Sequence, residues 1–219
     1  MSLSVRILSL AEINHVATSL HRLKRRSPNA HVNLVLFRLA TCCGLRVAEL
    51  TGLSMANVKL ASARPHIYVP ATIAKGSKAR TVPLWWDAAT LADLSAWKEK
   101  RIADGASGAD ALLSANGRQL KIRAAQLRWD TVIRKTLGAE RAETLSIHCG
   151  RHTFCSQSLM GGKTLAQVRD AAGHGNVSTT NIYLHVAADE SEVGNVFAVA
   201  RMTSFLGNHT RSIAPNDRQ

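Results

Sequence analysis

One stretch of the chain has the alternating, β-branched pattern of strands in a sequence that is otherwise helical in pattern. It contains His66-Ile67-Tyr68-Val69 and Thr72-Ile73-Ala74, and then Ala79-Arg80-Thr81-Val82-Pro83-Leu84. The basic, glycine-containing segment Lys75-Gly76-Ser77-Lys78 separates the two halves, so residues 66–84 are predicted to form a β-hairpin. A hairpin set among helices predicts a mainly α fold with a small antiparallel β-sheet, of the α+β class.

A helix is predicted to begin at the capping box Ser9-Leu10-Ala11-Glu12. Its apolar positions recur at helical spacing and are expected on one side: Ile13, Val16, Leu20 and Leu23. The helix is expected to end in Lys24-Arg25-Arg26, before Ser27-Pro28. This basic run fits a phosphate contact, and it fits equally well a solvated helix end whose charges complement the helix dipole.

Further helical patterns follow on both sides of the predicted hairpin. The apolar segment from Val32 to Cys43 predicts a buried helix that Gly44 ends, and residues 88–101 and 122–137 predict two more. From His148 onward we expect short helices broken by glycines, namely Gly161-Gly162, Gly173 and Gly175. An amphipathic helix that packs on its own core or on a neighbour is expected beyond these, with Val193, Val196, Phe197, Ala200 and Phe205 on its apolar face.

Composition favours one catalytic-size domain with a polyanionic partner. The 219 residues carry 28 Lys and Arg against 15 Asp and Glu, a formal charge of +13. A membrane surface is the competing partner, but the sequence has no long apolar run, lipidation motif or signal peptide, which predicts a soluble cytoplasmic protein without membrane contact. The cysteines form no CxxC pair, so we expect reduced thiols, small packing roles for Cys149 and Cys155, and no metal site.

Six side chains are candidates for chemistry, although each alone has an ordinary explanation. They are Arg46, Lys75, His148, Arg151, His174 and Tyr183. His148 and Arg151 share a helix face and could reach one phosphate, yet such pairs are common on helix surfaces. His174 fits a turn residue or an anion donor, Tyr183 fits a core aromatic, and the remaining two cations fit surface charge.

The six side chains together indicate a function more clearly than any one of them does alone. Attack on a phosphodiester needs fixed cations on the non-bridging oxygens, a nucleophile, and a proton donor for the leaving oxygen. Arginine supplies a fixed fork of donors, tyrosine is a nucleophile once a base such as histidine removes its proton, and a lysine can protonate the leaving group. The set therefore predicts phosphoryl transfer on a nucleic-acid backbone.

The order and spacing of these residues resemble the tyrosine recombinases, the phage integrase family of site-specific recombinases. The resembling segments are Gly44 to Leu50, Ala74 to Leu84, His148 to Phe154, and Ala172 to Tyr183. The resemblance implies the tyrosine recombinase and type IB topoisomerase catalytic-domain fold. It covers the chain from Ser9 to about Val186.

The resemblance also implies roles. Tyr183 attacks the scissile phosphate and forms a 3′-phosphotyrosyl intermediate, while Arg46 and Arg151 hold the phosphate oxygens. Lys75 protonates the leaving 5′ oxygen and His148 assists proton transfer at the tyrosine. Three further roles are implied for His174, which hydrogen-bonds the phosphate, for Glu49, which orients an arginine, and for His152, which is structural. No metal, nucleotide or other cofactor is required.

Two departures from the family pattern concern packing, at Cys149-Gly150 and at Ala171-Ala172. We expect a catalytic domain with its C-terminal helix at 1–206 and a polar tail at 207–219, with no N-terminal core-binding domain in this chain. The chain is then either an excised catalytic domain or a compact recombinase like the fimbrial phase-variation invertases.

The expected function is a site-specific DNA recombinase of the integrase, resolvase or invertase type. The expected partners are double-stranded DNA, further copies in a tetramer on DNA, and accessory DNA-bending proteins, in the cytoplasm at the nucleoid. Two alternatives remain open at this stage. One is a topoisomerase-like enzyme that relaxes DNA, and the other is a DNA-binding accessory protein without catalysis.

Overall fold

The computed structural model describes residues 6–174. In that range the helices are α1 (Leu10–Lys24), α2 (Pro28–Thr41), α3 (Val47–Gly52), α4 (Ala88–Ala103), α5 (Ile122–Leu137), α6 (Ala139–Thr144), α7 (Ile147–Met160) and α8 (Leu165–Ala172). The strands are β1 (Val58–Lys59), β2 (His66–Val69), β3 (Arg80–Pro83), β4 (Ser114–Ala115) and β5 (Arg118–Gln119). The predicted class, mainly α with small antiparallel sheets, is confirmed.

The predicted capping box begins α1. The Ser9 backbone N–H donates to Glu12 Oε2 at 2.8 Å, and the Glu12 N–H donates to Ser9 Oγ at 3.2 Å. Leu23, the last of the predicted apolar positions, is 52% exposed. The buried stripe of α1 follows positions 13, 16, 17 and 20 and ends one turn earlier, so the last turn of the helix projects beyond the core.

Helix α2 forms the centre of the core, as its continuous apolar pattern predicted. Leu34, Phe37 and Leu39 are almost completely buried, and α2 packs against α1, α4, α5 and α7. The Phe37 ring stacks on Trp129 of α5 with centroids 5.7 Å apart. Because α2 ends at Thr41, this core helix fixes the position of the segment that leads to Arg46.

Strands β1, β2 and β3 form one antiparallel sheet in sequence order. Val69 pairs with Arg80 and His66 with Pro83, so the predicted hairpin exists, but its first strand is shorter than expected. Residues 71–77 form turns and bends, and the Ala74 N–H donates to the Pro70 carbonyl at 3.1 Å. Pro70 has no N–H for a ladder, which is why the strand ends before it and Thr72-Ile73-Ala74 leave the sheet.

Helices α7 and α8 follow the predicted pattern of short helices separated by glycines. Gly150 of α7 lies against α2, where an added Cβ would be 3.0 Å from the Ala40 carbonyl oxygen. The glycine that departs from the family pattern therefore permits a close approach of the two helices. Gly175, Tyr183, the amphipathic helix and the polar tail lie outside the described residues.

Cys149 and Cys155 are buried packing residues, as predicted, and burial raises the pKa of the Cys155 thiol to about 12. No helix among residues 6–174 is long and apolar enough to cross a membrane. The same range holds no group of three or more His, Cys, Asp or Glu side chains arranged to bind a metal ion.

Candidate phosphate-binding site

Glu49 is a buried carboxylate at the centre of a group of basic side chains. It lies in the first turn of α3 and is 1% exposed. Arg80 donates to both of its oxygens, at 2.8 and 2.7 Å, and Arg46 donates to Oε1 at 2.9 Å. Burial by itself raises the pKa of Glu49, but the hydrogen bonds and charges of Arg80 and then Arg46 outweigh it and hold the pKa below its ordinary value.

Arg46 directly precedes α3 and is held at both ends. Its backbone N–H donates to Glu49 Oε2 at 2.9 Å, and its Nη2 donates to the Gly173 carbonyl at 3.3 Å. The side chain remains 24% exposed. Glu49 thus holds both the backbone and the side chain of Arg46, and the guanidinium is still accessible to a ligand.

Arg80 was not assigned a role from sequence. Its side chain is 8% exposed, bridges to Glu49 and donates from Nε to the Ala171 carbonyl at 3.0 Å. A signal was present in the strand pattern, because alternation places residue 80 on the same face as Val82, which is fully buried. An arginine on the buried face of a strand needs an internal partner.

Arg151 lies on α7 with a residue exposure of only 9%. Its Nη1 donates to the Gly44 carbonyl at 2.7 Å, two residues before Arg46. Its Nη2 is buried and has no hydrogen-bond partner among residues 6–174. Burial and then the charge of Arg46 lower the pKa of Arg151 to about 10, which leaves it protonated at neutral pH.

His174 follows Gly173 at the end of α8 and is half-buried. Burial, and then the charges of Arg151 and Arg46, lower the pKa of His174 to about 4. The pKa of half-buried His152 is lowered by burial and then by Arg151 and His148. At neutral pH both imidazoles are therefore neutral, and each retains one N–H donor.

We call Arg46, Glu49, Arg80, Arg151 and His174 the cationic cluster. Arg46 and Arg80 both bind the Glu49 carboxylate, and Arg151 lies close enough for its charge to matter. Burial, and then repulsion by neighbouring arginines, lower the pKa values of Arg151 and His174. A buried surplus of positive charge is costly unless an anion compensates it. The planar donors suit the oxygens of a phosphate.

Lys75 and His148 are placed apart from the hydrogen bonds of this cluster. Lys75 is exposed on the turn between β2 and β3, and His148 is exposed in the first turn of α7. Within residues 6–174 neither side chain forms an ion pair or hydrogen bond with a member of the cluster. Tyr183, the predicted nucleophile, lies outside the described residues.

Residues 8–190 match the sequence profile of the phage integrase family. Tyrosine recombinase XerC of Pseudomonas fluorescens is 32% identical over 157 residues, which cover 72% of this chain and 49% of the relative. Tyrosine recombinase XerC of Mycobacterium tuberculosis is 32% identical over 164 residues, covering 73% and 51%. The chain spans about half the length of these curated relatives.

Solved structures show the same fold at lower identity. The crystal structure of XerA recombinase superposes with a TM-score of 0.64 at 21% identity, covering 84% of this chain and 63% of that one. The catalytic domain of bacteriophage HP1 integrase gives 0.55 at 18% identity, covering 86% and 96%. The predicted catalytic-domain fold is thus confirmed. Because the family profile spans most of the chain and includes the whole cationic cluster, the chain belongs to the phage integrase family of tyrosine recombinases.

Proposed function

We propose that this chain is a site-specific DNA recombinase of the integrase, resolvase or invertase type, which cleaves and rejoins double-stranded DNA through a 3′-phosphotyrosyl intermediate. The observation that carries the proposal is the surplus positive charge of the cationic cluster within residues 6–174, above all Arg151 Nη2, which is buried and has no hydrogen-bond partner in that range. A scissile phosphodiester supplies the missing anion. The formal charge of +13 supports a polyanionic partner.

The cluster stabilises the phosphorane-like transition state. Arg46 and Arg151 donate to the non-bridging oxygens, where negative charge increases as the nucleophile adds. His174 donates as a neutral imidazole, since its pKa of about 4 leaves it uncharged at the pH of the reaction. The donors are held by Glu49, Gly44 and Gly173 before DNA arrives, so little reorganisation is needed.

Three further residues complete the proton balance. The Tyr183 oxygen forms a bond to phosphorus while His148 accepts its proton, and the bond from phosphorus to the 5′ oxygen breaks as Lys75 protonates that oxygen. The products are a 3′-phosphotyrosyl link and a free 5′-hydroxyl. Attack by a 5′-hydroxyl reverses the sequence, so rejoining needs no nucleotide or metal. His152 supports the fold beside Arg151.

In this proposal the catalytic domain comprises residues 1–206 and ends in the helix after Tyr183, followed by a polar tail at 207–219. The active assembly is a tetramer on DNA, helped by accessory DNA-bending proteins, in the cytoplasm at the nucleoid. The XerH recombinase, 22% identical and matched with a TM-score of 0.67, has been crystallised with its difH substrate in a post-cleavage complex. That complex is a guide to the design of substrates.

The test is a suicide-substrate assay with nicked duplexes from the genomic neighbourhood of the gene. Wild type is expected to form a covalent adduct on a denaturing gel and Tyr183→Phe to form none. Tyr68→Phe is the matched control, because Tyr68 is the other tyrosine of the chain and is 39% exposed on the sheet.

Three outcomes would contradict the proposal. An adduct that persists in Tyr183→Phe excludes this nucleophile. Relaxation of plasmids that lack any specific site, without synapsis, favours a topoisomerase-like enzyme. DNA binding without an adduct from any duplex favours an accessory protein.

A further inference from the structure

We propose that Arg80 is a positioning residue of the phosphate site, which holds Arg46 and His174 in place through Glu49 and the end of α8. This inference rests on the proposed function and assigns a role to a residue that the catalytic scheme does not use. Arg80 contacts no reacting atom in this scheme.

Arg80 and Glu49 form a forked pair of hydrogen bonds. Nη1 donates to Oε1 at 2.8 Å and Nη2 donates to Oε2 at 2.7 Å, so both carboxylate oxygens are fixed in one plane. Arg46 donates its side chain to the first oxygen and its backbone N–H to the second. The orientation of Arg46 therefore depends on a carboxylate whose own orientation is set by Arg80.

Arg80 and Arg46 also bind the turn after α8. Arg80 Nε donates to the Ala171 carbonyl at 3.0 Å, and Arg46 Nη2 donates to the Gly173 carbonyl at 3.3 Å. Gly173 has a φ of +69°, and an added Cβ would be 2.6 Å from Arg80 Cδ. The two arginines thus hold the turn from both sides, and His174 is the next residue.

A purely structural pair would resemble Arg38 and Asp93. That pair is also buried, with side chains 7% and 6% exposed and a bond of 2.9 Å from Nε to Oδ2. It joins α2 to α4 and shares no residue with the cationic cluster. Arg38→Lys is consequently a matched control for Arg80→Lys, since both changes keep the charge and remove a guanidinium fork.

The main experiment measures single-turnover cleavage of a nicked duplex and DNA affinity in parallel. Arg80→Lys is expected to cleave at least tenfold more slowly than wild type with DNA affinity within about twofold, whereas Arg38→Lys cleaves like wild type below its melting temperature. Gly173→Ala, which displaces the Arg80 side chain, should resemble Arg80→Lys. Equal cleavage rates in wild type, Arg80→Lys and Gly173→Ala would overturn the proposal.

A substrate with sulfur at the bridging 5′ position identifies which group Arg80 positions. A thiolate leaves without protonation, so the defect of Lys75→Ala should largely disappear on this substrate. The defect of Arg80→Lys should remain, because Arg46 and His174 act on the non-bridging oxygens. If the cleavage rate of Arg80→Lys recovers on the sulfur substrate, Arg80 positions Lys75 and not Arg46 and His174, and the proposal is overturned.

A third measurement does not depend on cleavage. Titration of the folded chain with inorganic phosphate, followed by NMR of the His174 ring, should give at least tenfold weaker binding in Arg80→Lys than in Arg38→Lys. If wild type cleaves no DNA but this difference is found, the proposed function fails and the positioning role stands. If wild type cleaves DNA but the two variants bind phosphate equally, the positioning role fails alone.

Discussion

Two groups of charged residues within residues 6–174 differ in their charge balance. In the first, which joins α1, α2 and α4, Arg38 faces Asp93 and Asp87, and His21 contacts Asp93 at 3.0 Å. In the second, the cationic cluster, Arg46 and Arg80 bind Glu49, and Arg151 has no carboxylate partner among residues 6–174. Within residues 6–174, the first group is compensated internally and the second keeps a surplus of positive charge.

The pKa values of Arg38 and Arg151 are shifted in opposite directions in the two groups. Burial alone would lower the pKa of Arg38, but Cys42 and Asp93 outweigh it and raise the pKa above its ordinary value. Burial and Arg46 instead lower the pKa of Arg151 to about 10. A compensated ion pair such as Arg38–Asp93 stabilises the fold. Repulsion between the arginines of the cationic cluster favours binding of a ligand with negative charge.

The largest expected effect is on catalysis. Arg151→Gln should reduce single-turnover cleavage by about 10²–10³-fold, the usual result of removing one donor to transition-state charge. Its thermal midpoint should be equal to or above that of wild type, because the change removes an uncompensated buried cation. A large loss of stability with cleavage retained would place Arg151 with the structural pair instead.

The second effect concerns stability. Arg38→Gln leaves Asp93 buried without its guanidinium partner, so unfolding by denaturant should show a loss of about 3–5 kcal/mol. The protein that remains folded should cleave DNA at the wild-type rate. If Arg38→Gln is as stable as Arg151→Gln, the two groups do not differ in their contribution to stability, and the distinction between them is wrong.

Acid should destabilise the free protein. The ordinary pKa of histidine is 6.5 and that of folded His174 is about 4, so the unfolded chain binds a proton that the folded chain excludes. Stability from this group is complete above pH 6.5 and is lost as the pH falls towards 4. Lowered pKa values of His31 and His152 act in the same direction.

Thermal midpoints measured from pH 7.5 to 4.5 should therefore fall by roughly 5 °C or more in wild type. In His174→Asn the fall should be smaller. A midpoint that stays constant over this window would show that His174 does not face the arginines. The carboxylates with lowered pKa values, such as Glu49, lose their contribution only below their ordinary value of 4.5.

The smallest effect is stabilisation by a free anion. Inorganic phosphate at ten times its Kd should stabilise wild type by about 1.4 kcal/mol, because it binds only the folded cluster. Sodium chloride at matched ionic strength is the control for screening. Arg151→Gln should lose the phosphate effect and Arg38→Lys should keep it, whereas equal responses would point to anion binding elsewhere.

Local patterns were sufficient to predict most helices. The α5 boundaries Ile122–Leu137 and the capping box of α1 follow from the sequence, since helix periodicity and caps depend on neighbours a few residues apart. The end of β2 at Val69 was missed, although Pro70 is a local signal against a longer strand. The two-residue strand β1 carries too short a pattern to be recognised.

The candidate site was predicted only in part, because its contacts are non-local. The resemblance gave Arg46, Arg151 and His174, but it did not reveal that Arg80 joins Glu49, 31 residues away, and Ala171, 91 residues away. Charge balance in the folded state is likewise invisible in a linear sequence. The surplus of the cationic cluster appears only after α3, α7, α8 and β3 are brought together.

The most direct test of the account is mass spectrometry of the peptide that carries DNA after reaction with a nicked duplex. One modified residue is expected, Tyr183, linked to the 3′-phosphate of the cleaved strand, with a free 5′-hydroxyl on the other product. Attachment at Tyr68 or at a non-tyrosine residue, or a 5′-phosphate link, would contradict it.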